Sequence, residues 1–165
     1  MNWKEYQINV KRTLANLKSY KEDLAHTILG LMSEYSEYID AVEADDKVNI
    51  NEEIGDKCWY LAAYCNLRNI DLEVITMNTQ TYTYNLSLLS NLVKRYIAYN
   101  KEFDRDLEIE LVSKLAANLI RMAGDSKLED ILEKNINKLK VRYPENFNET
   151  KAIERDLEAE YKTLI

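Results

Sequence analysis

Glycine and proline are nearly missing: three and one, respectively, in 165 residues. Stretches this free of chain breakers, dominated by Leu, Ala, Glu, Lys and Asn, suit helices. No sustained alternation of apolar and polar residues occurs, which excludes half-buried strands, whereas apolar positions recur every three to four residues nearly everywhere. Cysteine is scarce as well. Cys58 and Cys65 stand seven apart on one predicted helix, about two turns from each other, so a disulfide between them is out of reach. They are expected as small core residues.

Long apolar runs are also lacking. Leu24 to Val42 and Ile54 to Leu67 are apolar-rich, but Glu, Asp and Lys interrupt them, and a membrane span needs an unbroken run of about 20 residues. The opening MNWKEYQINVKR has no apolar signal-peptide core, so a cytoplasmic location is expected. Positive charge is in deficit, with a formal net charge of −7, which argues against a duplex nucleic-acid footprint. Lys134, Lys138, Lys140 and Arg142 form the one local exception. Histidine is reduced to His26, which excludes a carboxylate di-iron bundle, since that site needs two Glu-x-x-His pairs. His26 is expected in the core or near a site rather than as a ligand.

What is present is 46% apolar residues, enough for a single domain, 1–165, to bury a core without disulfides or structural metal. The pattern predicts an all-α bundle of about seven helices. These run from about Asn2 to Lys18, Lys21 to Ala44, Asn51 to Arg68, Asn85 to Lys101, Arg105 to Ala123, Lys127 to Arg142 and Glu149 to Lys162. Asp45 to Asn51 reads as a loop with Asn51 as N-cap, and Gly124-Asp125-Ser126 as a stop. A brief helical turn is expected before Met77.

Acids interrupt two of these helices in a telling way. In LGLMSEYSEYID, Glu34 and Glu37 are three apart and leave one face, roughly 5–6 Å between Cβ atoms. Leu29, Leu31, Met32, Tyr35, Tyr38 and Ile39 surround them, a pattern that predicts a buried helix. In EEIGDKCWYLAAYC, Glu53 and Asp56 repeat the spacing. Antiparallel packing across the short loop would bring both pairs to one place, where like charges are costly unless a cation lies between them. All-oxygen ligation suits Mg²⁺, with Mn²⁺ as a substitute. The bland alternative is that an E-x-x-E pair marks an ordinary solvated face. Glu52, Asp40, Glu43, Asp45 and Asp46 are placed at the loop or on exposed edges, outside the ligand set.

The two segments HTILGLMSEYSEYID and EEIGDKCWYLAA resemble the E-x-x-E and E-x-x-D signature of MazG-like all-α nucleoside triphosphate pyrophosphohydrolases. Leu29-Gly30-Leu31, Gly55-Asp56 and Trp59-Tyr60-Leu61 extend the likeness beyond the acids. A later block, NINKLKVRYPENF, is similar to the family's N-x-x-K-L-x-x-R-Y-P segment. The resemblance implies substrate binding by Asn135, Lys138, Arg142 and Tyr143, with Lys138 and Arg142 on one helix face steadying phosphates. It departs from the family in length, since residues 75–127 form a helical insertion between the blocks.

The resemblance implies cleavage of a nucleoside triphosphate between its α- and β-phosphates by metal-activated water, giving the monophosphate and pyrophosphate. Glu37 or Glu34 would accept the water's proton. It further implies a homodimer or homotetramer, for whose interface Tyr82, Tyr84, Tyr96 and Tyr99 are candidates, though they suit a core equally. Trp59, Tyr60 and Tyr143 are candidates both for packing and for a nucleobase contact. The alternative function is a nucleotide-binding or sensor module of the same fold without turnover.

Overall fold

The computed structural model describes residues 1–14, 17, 19–72 and 79–165. Among them are eight helices and no strand: α1 (Trp3–Lys11), α2 (Tyr20–Glu43), α3 (Lys47–Arg68), α4 (Tyr82–Tyr99), α5 (Arg105–Ala123), α6 (Leu128–Arg142), α7 (Glu149–Ile153) and α8 (Leu157–Tyr161). None of them is long and apolar enough to cross a membrane. The all-α expectation holds, with one helix more than expected because the last one breaks at Glu154 to Asp156, where Asp156 starts α8 by accepting from the Ala159 N–H. The helical turn expected before Met77 falls outside the described residues, as do Ala15, Asn16 and Lys18 of the first predicted helix; α1 itself ends at Lys11.

The helix that carries Glu53 and Asp56 starts earlier than expected. Asp46, not Asn51, is the N-cap, accepting from the Asn49 N–H at 3.1 Å. The turn before it is compact because Asp45 takes a left-handed backbone (φ 53°), which Asp tolerates better than most residues. A carboxylate facing the first-turn N–H groups also complements the helix dipole, an advantage the neutral Asn51 lacks. Glu52 thus lies inside α3, in its second turn.

Packing follows from the pattern of apolar positions. α3 is buried on nearly every side, with Ile54, Cys58, Leu61, Ala62, Tyr64 and Cys65 inaccessible, and α1, α2, α5 and α6 surround it. Both cysteines are free thiols. α2 pairs antiparallel with α3 and is buried on one face through Leu24, Ile28 and Leu31. The expectation that α2 is buried all round is overturned: Leu29 and Met32 are 65% and 52% exposed, on a face that no other described helix covers. Tyr82 is core and donates to the Leu31 carbonyl at 3.1 Å, while Tyr84 and Tyr99 are exposed. A buried carboxylate ties α3 to α5: Glu108 accepts from Tyr64 (2.6 Å), Arg68 (2.6 and 3.1 Å) and Arg105 (3.1 Å).

Two glycines set helix spacing. A methyl group on Gly30 would come within 2.2 Å of the Tyr60 ring, so the absence of a side chain lets α2 and α3 close on each other. Gly30→Ala is therefore expected to lower stability by about 1–3 kcal/mol through overpacking, read as an earlier midpoint in urea unfolding. A methyl group on Gly55 would stand 3.1 Å from the Asn135 side chain, so Gly55 brings α3 close to α6.

Candidate active site

The antiparallel α2–α3 pair sets Glu34 and Glu37 opposite Glu53. These three each offer a carboxylate oxygen within 4.8 Å of the others. Glu53 is 5% exposed, Glu34 is half-buried and Glu37 is exposed, so the cluster opens from the helix interface toward solvent. Burial pushes the Glu34 carboxyl up to about 7, and negative Asp56 and Glu37 add to the shift. Burial, a hydrogen bond with Glu34 and the neighbouring negative charges push Glu53 up to about 9. Glu53 Oε2 is buried and has no hydrogen-bond partner among the described residues. An orphaned carboxylate oxygen beside two further acids is what a hard divalent cation satisfies, so the donor set fits Mg²⁺ or Mn²⁺.

Asp56 lies beside this trio but is oriented by α6. It accepts from Lys138 at 2.6 and 2.5 Å and from Asn135 at 2.6 Å. Asn135 also accepts from the Tyr6 hydroxyl at 2.7 Å, and that hydroxyl reaches the Gly55 carbonyl at 3.3 Å, so α1, α3 and α6 meet under the acid. Lys138 is fully buried and also bonds Glu52 at 3.1 Å. Burial works against its charge, but Asp56 and Glu52 more than offset that and leave its pKa raised.

A cleft of about 350 Å³ opens above the acids. Glu34, Glu37, Glu52, Glu53 and Asp56 line one part of it; His26, Trp59, Tyr60, Tyr143 and Phe147 supply aromatic walls; Arg142 and Arg155 complete the rim. Of the four residues that the late sequence block points to, Arg142 and Tyr143 therefore face the cleft. Asn135 and Lys138 sit beneath it, holding Asp56. His26 meets Tyr60 edge-on at 5.4 Å, and burial lowers its pKa. Trp59 donates to Thr13 at 2.8 Å, which fixes its ring against the same wall.

Sequence reasoning missed four of the groups in and around this site. Glu52, expected at the loop or an exposed edge, lines the cleft and pairs with Lys138 of α6. Lys57 is fully buried behind the trio, donates to the Glu34 carbonyl at 3.3 Å and lies 4.2 Å from the centre of the Tyr38 ring. Burial lowers it to about 8, against the pull of Glu53 and Glu34. Its signal was its position: it follows Ile54 by three and precedes Leu61 by four, on the apolar stripe. Arg155 and Glu160 gave no local signal, since their role depends on how α8 folds back onto α6.

The structure is an all-α bundle with an acidic pocket on its central antiparallel pair, in a cleft that aromatic rings and arginines also line. Residues 22–80 match the family model of the MazG nucleotide pyrophosphohydrolase domain, and the resemblance carried by the two acidic blocks holds over that span. The matched segment contains α3 and all but the first two residues of α2, with all four predicted acids. It ends before α4, so the α6 block lies outside it. No curated protein and no solved structure matches the chain significantly.

Proposed function

We propose that this protein is a Mg²⁺-dependent nucleoside triphosphate pyrophosphohydrolase, releasing pyrophosphate and a nucleoside monophosphate. The observation that carries the reading is the crowding of Glu34, Glu37 and Glu53 within 4.8 Å, with one buried oxygen of Glu53 unpartnered among the described residues. Glu34, Glu53 and Asp56 would hold the cation, with Glu37 completing the set. When bound, the cation supplies Lewis-acid polarisation of the phosphate and a lowered pKa for attacking water. Glu37, the acid nearest solvent, is positioned to accept the proton that the water gives up. Lys138 and Asn135 fix the rotamer of Asp56, so that this carboxylate needs no reorganisation during the reaction. Arg142 supports the phosphates from the rim, and the aromatic walls accommodate the base.

The proposal extends to the rest of the chain. Residues 75–127, which include α4 and α5, form an insertion within a single domain, and the protein works in the cytoplasm as a homodimer or homotetramer.

A screen of canonical, deoxy and modified nucleotides with Mg²⁺ or Mn²⁺ tests this reading. Pyrophosphate release from at least one of them is expected, together with its loss in Glu37→Gln. Nucleotide-dependent thermal stabilisation without product would favour a sensor module. No turnover across the panel, guanosine tetraphosphate included, would exclude catalysis.

A further inference from the structure

The C-terminal segment contributes to the cleft in a way that neither acidic block anticipates. Glu160 of α8 is buried, with its side chain 3% exposed, and it binds two arginines at once. Arg142 donates to it through Nε (2.9 Å) and Nη2 (2.6 Å), and Arg155 through Nε (3.3 Å) and Nη2 (2.7 Å). Both guanidinium groups line the cleft that holds Glu34, Glu37 and Glu53. In each, Nη1 has no partner among the described residues. One carboxylate against two guanidiniums leaves a net positive charge in the cleft that the acids also line.

Held this way, the two groups are poised for an anion. A guanidinium is planar, and fixing one edge on a carboxylate aims the other without the rotamer loss that a free arginine suffers on binding. Arg155 has a side chain 36% exposed and, among the described residues, makes no ion pair beyond Glu160, so its guanidinium is open to the cleft. Glu160 keeps Arg142 as a partner when Arg155 is replaced, so the carboxylate is not left unpaired.

Accordingly, we propose that Arg155 is a second arginine for the phosphate chain of the substrate, acting beside Arg142, and that Glu160 is the positioning residue that presents both. The inference rests on the nucleotide reading of the cleft and deepens it. The α7–α8 segment becomes part of the site, and ligands are selected by how many phosphates they carry: a triphosphate spans from the acids to the arginines, whereas a monophosphate meets one group only.

The probe is inorganic tripolyphosphate, measured by calorimetry on the full chain with Mg²⁺ present, beside nucleotide turnover. Arg155→Ala is expected to weaken tripolyphosphate binding roughly tenfold, as the loss of one charge-assisted contact requires, and to raise KM by a similar factor with kcat changed less. Arg155→Lys should recover only part, since a point charge lacks the fork. Mn²⁺ binding without phosphate should not change, and the thermal midpoint should move little. Glu160→Gln is expected to weaken tripolyphosphate more than Mn²⁺. If the unsubstituted chain turns over nucleotides and Arg155→Ala binds tripolyphosphate as tightly, the inference fails while the proposed activity stands. If the unsubstituted chain binds neither tripolyphosphate nor nucleotide, both fail.

Discussion

Replacing Glu53 by Gln is expected to act in opposite directions on two properties: turnover should fall about a thousandfold or more, while the metal-free protein should melt at a higher temperature. The first effect follows from the loss of a buried ligand oxygen, because cation-supported charge stabilisation contributes several kcal/mol to a barrier and about 1.4 kcal/mol is tenfold. The second follows from the proton count. In the folded chain Glu34 is pushed up to about 7 and Glu53 to about 9, so each keeps a proton that the unfolded chain, with ordinary carboxyls, has released. A folded state that binds more protons loses stability as pH rises. The loss begins above the ordinary carboxylate range near 4.5 and continues through 7 toward 9. Glutamine keeps the shape and removes that proton requirement. The gap in melting temperature between the variant and the unsubstituted chain, both in chelator, should widen between about pH 5 and pH 7.5, a window in which Lys57, lowered to about 8, stays mostly charged. On the proposed function, added Mg²⁺ should close or reverse the gap, because the substitution removes one of the oxygens proposed to hold it. A Gln variant that melts lower at every pH without metal would show that the acids are not crowded in solution.

Glu108→Ala is expected to produce the largest loss of stability, about 3–5 kcal/mol, the range found when one partner of a buried ion pair is removed. Glu108 has no exposed surface and satisfies three donors at once, Tyr64, Arg68 and Arg105. Alanine removes the acceptor of Tyr64 and the ion-pair partner of Arg68, while the half-exposed Arg105 keeps its bonds to the Arg68 and Asn69 carbonyls. Arg68, whose side chain is 17% exposed, stacks on Phe103 at 3.8 Å and cannot turn to water without uncovering that ring. For a chain of this size each kcal/mol shifts the melting temperature by roughly 2–4 °C, so a drop of about 10 °C is expected by calorimetry. Glu108→Gln should cost less, because it keeps the acceptor oxygen for one of the three donors. A change below about 1 kcal/mol in the alanine variant would mean that the arginines find water readily and that the network adds specificity rather than stability.

The elements that sequence reads well are those whose ends carry their own chemistry. α5 begins after Asp104, which accepts from the Leu107 N–H, and ends at Gly124, whose φ of 57° suits a residue without a side chain. The start of α3 is hidden in the sequence because Val48, Asn49, Ile50 and Asn51 look like loop when judged one by one, whereas Ile50 packs on the core from inside the helix. Convergence of Glu34, Glu37 and Glu53 could be anticipated from two i,i+3 pairs joined by a short turn. The orientation of Asp56 could not, since it is decided by Lys138 and Asn135, about 80 residues away along the chain. Arg155 and Glu160 belong to the same category: their meaning lies in a tertiary contact, and their local sequence is that of any polar helix end.

Lys57 gives the acidic pocket a fixed counter-charge of its own, housed behind the carboxylates against an aromatic face. A scaffold so equipped does not wait for an ion in order to assemble, unlike small zinc domains, in which ligation and folding are one event. Under the proposed function, loading with a divalent ion is then a reversible occupancy on a finished framework, with ions exchanged at the rate they dissociate rather than at the rate the chain unfolds.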